Sequence, residues 1–452
     1  MHAGMSVNQP QTQPPMPSKK RLIPQKRSVT FAPDVDMKAE SPPIPQRRLP
    51  SPPPPPQQVA RAPEPAPTII APPATSIIRP DLPVDYRVLL LRLSEQYIAE
   101  ARLSSAQIAL DRPDADPERY YKLIGMGLSC LETVLNQKTW TGSMPPRQEA
   151  MLRIRYATLL YEETDNDDEL GQLLTKSITF CERNKLLDLK YSLQHLCARH
   201  MFKSNAKAGL NFLNSAIKET IAYQSITWVF ALRFLRISLH MQLATQHDLQ
   251  AALVDLKAIA DLSRKRQEKA IAVLAAVLQA MVHLRTRDPE AVNSAQTALA
   301  TARAQQLDES VNSVPQLEAL ILLVDLACSL SPWDPVAAKE KMRDMQVYLD
   351  ETSSLTSWMK DGALAVPILR AGNAGLTEAE SGGVFSRDEA GDDYMLFAWL
   401  SRTDVYMIGL LFSCVGNYPK AHERGGKAEM FAEGGLKMTE GMFSIEDDMM
   451  IV

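Results

Sequence analysis

The sequence predicts an all-α fold built from helical hairpins and preceded by a proline-rich tail. From about residue 85 onward, apolar residues recur with a period near 3.6 and are interrupted by short polar turns, as in amphipathic helices. Before that point the chain is rich in proline, since 21 of its 32 prolines lie in residues 1–80. At 452 residues the chain is too long for one hydrophobic core, so several structural units are expected.

Residues 1–80 are predicted to be a disordered basic tail. They contain ten Lys and Arg against four Asp and Glu, and Phe31 is their one aromatic residue. Full burial of their large apolar side chains would stabilise a fold by at most roughly 50 kcal/mol, whereas ordering the segment would cost roughly 80 to 160 kcal/mol. Because the tail is +6 and the whole chain −4, the remaining residues carry −10, which argues against generic nucleic-acid binding. No direct sequence-specific contact with nucleic acid is expected either.

Short motifs in the tail suggest partners. A basic cluster within SKKRLIPQKR (residues 18–27) suits a nuclear-import receptor, although a solvating basic run is the equal alternative; its members are Lys19, Lys20, Arg21, Lys26 and Arg27. Arg27, Val29 and Phe31 match the docking motif of protein phosphatase 1, which is short enough to arise by chance. RRLPSPPPPP (residues 47–56) fits a polyproline ligand of SH3 domains or a simple spacer.

The body repeats itself as helical hairpins. Residues at positions i, i+4 and i+7 of each second helix align on one another: Leu170, Leu174 and Ser177; Ala208, Phe212 and Ser215; Ala291, Ala295 and Ala298; Ala338, Met342 and Met345; and, more weakly, Ala251 and Ala258. Their first members are 38 to 47 residues apart. A loose period of this size predicts a solenoid of stacked hairpins.

One stretch matches a known consensus. IGLLFSCVGNYPKAHERGGKA (residues 408–428) follows the tetratricopeptide (TPR) pattern of small and aromatic residues on helix A, Gly-x-Tyr at the turn and two alanines on helix B. We expect Gly409 to let the two helices approach closely and Gly416 to adopt a left-handed C-cap. Pro419 would begin the next helix, and Ala421 and Ala428 would keep the hairpin tight. The body, residues 81–440, is therefore predicted to be a TPR-like α-solenoid.

Two segments depart from this pattern. Residues 361–391 are predicted to be a loop or insertion, and no alternating strand pattern of useful length is expected in the body. Residues 441–452, GMFSIEDDMMIV, are interpreted as an atypical C-terminal end, which leaves the last apolar face without a polar cap.

The residues that usually carry catalysis or bind metals are not arranged to do so. The five cysteines are scattered without a CxxC pair, and the histidines form no HExxH motif. In the carboxylate-rich EETDNDDE (residues 162–169), an EF-hand loop starting at Asp165 would place Leu170 where Gly is required and Lys176 where Glu is required. There is no nucleotide-binding glycine motif. We therefore expect no enzyme activity, no cofactor and no metal.

No membrane association is expected. The longest apolar helix, IAVLAAVLQAMVHL (residues 271–284), is interrupted by Gln279 and His283 before it reaches about 18 residues. The N-terminus lacks the apolar core of a signal peptide. The sequence thus predicts a soluble chain that is not secreted.

Several long phrases resemble one family. They are YYKLIGMGLSCLETVL (120–135), RIRYATLLYEETDNDDE (153–169), SITFCERNKLLDLKYSLQHLCARHMFKSN (177–205) and TWVFALRFLRISLHMQ (227–242), followed by SSLTSWMKDGALAVPI (353–368) and DDYMLFAWLSRTDVYMIGLLFS (392–413). Together they resemble the fungal form of the TPR subunit of the cohesin-loading complex. The resemblance covers about residues 85–440, and the tail is not part of it. Members of this family continue through further helical pairs, so the resemblance implies that the C-terminal end, residues 441–452, comes from a truncated gene model.

The resemblance implies a non-enzymatic scaffold in the nucleus. Its superhelix would wrap the extended N-terminal segment of the large HEAT-repeat loader subunit and so promote cohesin loading on chromatin and sister-chromatid cohesion. Contacts with cohesin and chromatin would be indirect. The alternatives are another TPR scaffold or a co-chaperone adaptor and, less favoured, a metal-dependent hydrolase without local motifs. A co-chaperone clamp needs Lys and Asn where the best repeat has Tyr406 and Leu410.

Aromatic and basic residues on successive first helices are the candidate partner-binding site. They are Arg153, Arg155, Tyr156, Lys190, Tyr191, Gln194, Trp228, Arg233 and Arg236. We expect these side chains to face one groove, where bases on an acidic body would meet acidic groups of a partner. Arg303 is expected on an outer face. For the aromatic residues, packing in the core is the alternative interpretation.

Overall fold

The computed structural model describes residues 85–109, 116–136, 143–286, 288–332, 334–352, 358, 362–369, 377–418 and 426–448. The tail motifs, Pro419 and Ala421 lie outside these residues. The helices are α1 Arg87–Ala109, α2 Pro117–Asn136, α3 Pro146–Glu163, α4 Asp167–Arg183, α5 Leu187–Ser204, α6 Ala206–Ala222, α7 Ile226–Leu243, α8 Gln246–Arg266, α9 Lys269–Arg285, α10 Ala291–Arg303, α11 Glu309–Asn312, α12 Pro315–Leu330, α13 Pro335–Glu351, α14 Glu378–Ser381, α15 Arg402–Asn417 and α16 Lys427–Asp448. The strands are β1 Ala363–Ile368, β2 Phe385–Arg387 and β3 Asp393–Ala398.

The mostly helical fold expected from the sequence is confirmed. Consecutive long helices pack against each other as hairpins, and each hairpin stacks on the next. We call α3, α5, α7, α9, α12 and α15 the A helices, and α4, α6, α8, α10, α13 and α16 the B helices. The apolar faces of α5, α7, α9 and α12 are wide because these helices have neighbours on several sides.

Three B helices end in the same turn. Lys185, Gln224 and Gln267 have positive φ angles of 58°, 56° and 62°. The residue after each donates its backbone N–H to a carbonyl one turn back, namely Leu186 to Cys181, Ser225 to Thr220 and Glu268 to Ser263, at 2.9 to 3.0 Å. This is the Schellman geometry of helix ends. Its recurrence is structural evidence for the internal repeat.

A three-stranded antiparallel sheet interrupts the solenoid, contrary to the expectation of no strands. The strand order is β1-β3-β2, and Val366 of β1 pairs with Met395 of β3, which in turn pairs with Phe385 of β2. The interruption extends to Ala398, beyond the loop expected at residues 361–391. Side chains on the inner face of the sheet, including Leu364 and Val366 at 1% and 0% exposure, join the main hydrophobic core formed by α7, α9 and their neighbours.

The TPR-like hairpin α15 and α16 is present, but its glycines act differently from the expectation. A Cβ on Gly409 would lie 2.9 Å from Cε of Met345 on α13, so Gly409 permits close approach to the preceding hairpin rather than to α16. Gly416 lies inside α15 and is not among the described residues with positive φ. It faces Met342 of α13. Both glycines therefore serve the stacking of hairpins.

Candidate partner-binding site

The two arginines of α7 bind one buried carboxylate. Asp255 on α8 has a side chain 1% exposed. It accepts hydrogen bonds from Arg233 at 2.7 Å and from Nε of Arg236 at 2.6 Å. Arg236 also donates to Asn214 of α6 at 3.0 Å. Both guanidinium groups thus point toward the B helices, and their charges are neutralised within the chain.

The polar residues of α5 are arranged in the same way. Lys190, with a side chain 5% exposed, lies 2.8 Å from the carboxylate of Glu182 and also pairs with Glu219 of α6. Gln194 donates to Glu219 at 3.1 Å. Burial opposes the charge of Lys190, but the hydrogen bonds to Glu182 and Glu219 raise its pKa overall. The base that α5 was expected to offer to a partner is held between acids of α4 and α6.

On α3, two candidate residues make contacts within the same hairpin. The Tyr156 hydroxyl donates to Glu169 of α4 at 2.7 Å, and burial followed by this bond raises the pKa of the phenol. Arg153 pairs with Glu149 at 2.6 Å and lies over the Phe180 ring at 5.0 Å. Tyr156 is 6% exposed and belongs to the hydrophobic core.

Arg155 is the most exposed candidate. Its guanidinium is 3.2 Å from Glu95 of α1, and the two side chains are 45% and 43% exposed. An ion pair so exposed contributes at most about 1 kcal/mol. Arg155 can therefore exchange Glu95 for a carboxylate of a partner with little loss of stability.

The inner face of the sheet packs against Trp228, the aromatic candidate of α7. Trp228 is 2% exposed and its ring meets Phe385 of β2 edge-on, with centroids 5.0 Å apart. Tyr191, 1% exposed, lies 6.2 Å from Trp228, and burial raises its pKa to about 12. Phe234 of α7 meets Phe397 of β3 in the same edge-on manner at 5.0 Å. The aromatic residues of α5 and α7 are thus core residues, in line with the alternative interpretation.

The nine candidates do not share one face. Trp228 and Arg233 are five residues apart on α7, which separates them by about 140° around the helix; Trp228 meets the sheet and Arg233 meets α8. Arg303 was expected on an outer face. It is half-exposed, yet its guanidinium pairs with Asp325, whose side chain is 7% exposed. Lys341 pairs with the same carboxylate at 2.8 Å.

One ion pair and one hydrogen bond attach the insertion to the helices. Arg147 of α3 bridges Glu380 of α14 at 2.6 Å and Asp188 of α5 at 2.7 Å. Arg266, which holds Glu268 at 2.6 Å, reaches the carbonyl of Leu369 after β1 at 3.5 Å. The contacts of Arg147 and Arg266 with the insertion could not be predicted from the sequence, and neither could the pairing of Glu219 and Asp255 with bases on the A helices. Each of these contacts is made between residues that are far apart in the sequence.

The described residues offer few groups for chemistry. Among them, no three or more His, Cys, Asp or Glu side chains are placed to hold a metal ion. A cleft of about 420 Å³ between α8, α9 and α10 has a floor of Ala272 and Ala276. Its one histidine, His283, has a pKa lowered by burial. In the part of the chain that the structure describes, no helix is both long and apolar enough to cross a membrane.

The fold defines this chain as a helical-repeat protein. The charged residues of its candidate site are paired within the chain. A sequence model described as cohesin loading factor matches residues 86–449, and the chain belongs to that family. The fold is also similar to the crystal structure of Scc4 in complex with Scc2n, with a TM-score of 0.59 and 15% sequence identity. That alignment covers 79% of this chain and 55% of the Scc4 chain, so this chain spans about half of the solved one. A comparison with curated protein sequences gave no match.

Proposed function

We propose that this protein is the small, non-enzymatic subunit of a cohesin loader and that it binds the N-terminal segment of the large HEAT-repeat subunit. The match of the cohesin loading factor family over residues 86–449 carries the proposal. The likeness to Scc4, solved in complex with Scc2n, supports the same partner. In this role the chain acts in the nucleus, promotes cohesin loading on chromatin and sister-chromatid cohesion, and reaches cohesin and chromatin through its partner.

The nine candidate residues remain our proposed partner-binding set, in three groups. Arg155 is half-exposed and can contact a partner directly. Arg153, Arg233 and Arg236 are partly exposed but paired within the chain, so they would contact a partner only beside these pairs. The other five are buried and would act by fixing the A helices in place: Tyr156, Lys190, Tyr191, Gln194 and Trp228.

Affinity purification of the tagged full chain from its own cells, followed by mass spectrometry, tests the function. We expect a HEAT-repeat loader subunit in stoichiometric amount. Recovery of chaperones through their C-termini, with no loader subunit, would instead support the co-chaperone alternative and overturn the proposal. One zinc per purified chain by elemental analysis would revive the hydrolase alternative. The phosphatase 1 motif at Arg27, Val29 and Phe31 is a separate proposal, and its test is loss of phosphatase after Val29→Ala and Phe31→Ala.

A further inference from the structure

The sheet of the insertion is apolar on both faces. Its inner face carries Leu364, Val366 and Met395, which are buried in the main core. Its outer face consists of Ala363, Ala365 and Pro367 on β1, Tyr394, Leu396 and Ala398 on β3, and Ser386 on β2. An antiparallel sheet that packs on one side and meets water on the other normally alternates apolar with polar residues. The apolar outer face therefore indicates a second packing partner.

The part of this outer face that runs from Ala365 to Pro367 and from Tyr394 to Ala398 is at least partly exposed. Leu396, its largest aliphatic side chain, is partly exposed and is in none of the hydrophobic clusters that the described residues form. Ala398 is exposed, and Ala365, Pro367 and Tyr394 are partly exposed. The register pairs Ala365 of β1 with Leu396 of β3, and Pro367 of β1 with Tyr394 of β3. The large side chains of β3 therefore lie beside the small side chains of β1. The result is a shallow trough along β1.

The trough has an acidic end. The Tyr394 hydroxyl donates to Asp388 at 3.2 Å, which places the β2–β3 loop beside the end of the trough that contains Pro367. Glu389 and Asp392 of the same loop are exposed. A symmetric contact with a second copy of this chain would bring two such loops together, and like charges across an interface are unfavourable. Charge complementarity favours an occupant with Lys or Arg at the matching end.

We propose that the outer face of the sheet is a docking surface for an extended segment of the large loader subunit, in which a short apolar run is followed by Lys or Arg. The inference rests on the proposed function, because that function supplies the partner. Six residues of β1 at about 3.3 Å each give a trough of about 20 Å, the length of six extended residues. Apolar side chains of the segment lie over Ala365 beside Leu396, and its basic residues reach Glu389 and Asp392.

The test uses the full chain co-expressed with the N-terminal segment of the large subunit from the same organism. Leu396→Asp is expected to weaken binding about tenfold or more, since it replaces apolar burial by a charge. Val254→Asp, at a 68% exposed position on α8, is the matched control and should leave affinity unchanged. The double variant Glu389→Lys and Asp392→Lys is expected to weaken binding, and the loss of affinity should be largest at low salt. The control double variant on α13, Glu340→Lys and Glu351→Lys, should bind as wild type at every salt concentration.

A photo-crosslinker distinguishes the occupants. Benzoylphenylalanine in place of Leu396 should crosslink to the apolar-basic run of the partner segment, and the same group in place of Val254 should not. If the complex forms but Leu396→Asp binds as wild type, or if position 396 crosslinks to a second copy of this chain, the docking surface is wrong and the proposed function stands. If the wild-type chain forms no complex with the segment, both are overturned.

Discussion

Trp228 of α7 and Phe385 of β2 meet edge to face, with ring centroids 5.0 Å apart and an interplanar angle of 82°. Both side chains are no more than 2% exposed. Aromatic pairs in this geometry stabilise by more than their burial alone. The insertion is therefore part of the core of the solenoid, and it closes the face of α7 that the sequence suggested for a partner.

Phe385→Ala tests the structural role of the insertion. We expect the free energy of unfolding to fall by about 3 to 5 kcal/mol, the usual cost of removing a buried Phe. Leu369→Ala, in the same insertion but 51% exposed, is the matched control and should change it by about 0.5 kcal/mol or less. Urea unfolding of the two variants measures both. Equal, small effects would mean that the insertion rests loosely on the helices.

The carboxylate of Asp255 should be essential to the α7–α8 hairpin. Asp255→Ala leaves Arg233 and Arg236 without their common acceptor, and breaking a buried pair in this way costs about 3 to 5 kcal/mol. Asp261→Ala on the same helix breaks an exposed pair with Arg264 and should cost about 1 kcal/mol or less. Thermal denaturation compares them. Similar melting temperatures for the two variants would contradict the structural assignment of the α7 arginines.

Two helical glycines should respond in opposite directions to alanine. A Cβ on Gly209 of α6 would lie 2.8 Å from the backbone nitrogen of Phe202, so Gly209→Ala forces the hairpin apart and should cost about 1 to 3 kcal/mol. Gly125 of α2 has no such neighbour within 4 Å, so Gly125→Ala should stabilise by about 0.5 to 1 kcal/mol. Melting temperatures that move in the same direction would refute the close approach at Gly209.

The buried carboxylate of Glu268 should make the stability of wild type relative to a Glu268→Gln variant depend on pH. Burial raises its pKa above the ordinary 4.5 although Arg266 opposes the shift, and one carboxylate oxygen is buried without a hydrogen-bond partner. A raised folded pKa means that the folded state holds the proton more tightly, so ionisation lowers stability as pH rises from 4.5 through the folded value. Glu268→Gln should therefore melt higher than wild type at pH 7, with the gain disappearing below about pH 4.5.

The matched control for Glu268 is Glu340→Gln on α13, where the side chain is exposed. Its melting temperature should follow that of wild type at every pH. A lower melting temperature of Glu268→Gln at pH 7 would show that the pair with Arg266 outweighs the burial of the charge.

Helical periodicity located the hairpins but not always their buried faces. Leu170, Leu174 and Ser177 are buried as the repeat alignment requires, and so are the aligned residues of α10 and α13. In α6 and α8 the buried rows begin one residue later, at Gly209 and Ala252. Ala-rich stretches fit two neighbouring registers equally well, because alanine supplies little contrast between the faces of a helix.

The sheet and the candidate site show what a single sequence hides. Each long strand has only six residues, and Pro367 weakens the pattern of β1, so the alternation of Leu364 with Val366 was too short to predict a strand. The bases on the A helices were expected to meet acidic groups of a partner. In the structure Lys190, Arg233 and Arg236 pair with acids on other helices of the same chain. These acids come close to the bases only when the helices pack together. A pattern read along a single helix therefore does not reveal the pairs.

Arg155 gives the cleanest test of the candidate site. Arg155→Glu breaks only an exposed pair with Glu95, so the melting temperature should be nearly unchanged, while binding of the large-subunit segment should weaken about tenfold if a carboxylate of the partner pairs with it. Arg264→Glu, another exposed pair on α8, is the matched control and should bind as wild type. Arg236→Glu is unsuitable as a binding probe, because it also disrupts the buried Asp255 pair. Equal affinities of the Arg155 and Arg264 variants would remove Arg155 from the site.

The central claim is that this chain is the scaffold that holds the N-terminal segment of a large cohesin-loader subunit. Titration of that segment into the purified full chain, followed by isothermal calorimetry and by thermal denaturation of the same mixtures, tests it most directly. We expect saturable binding of one segment per chain and a melting temperature that rises with segment concentration, as mass action requires for a ligand of the folded state. No binding heat and an unchanged melting temperature, with a chain shown to be folded, would contradict it.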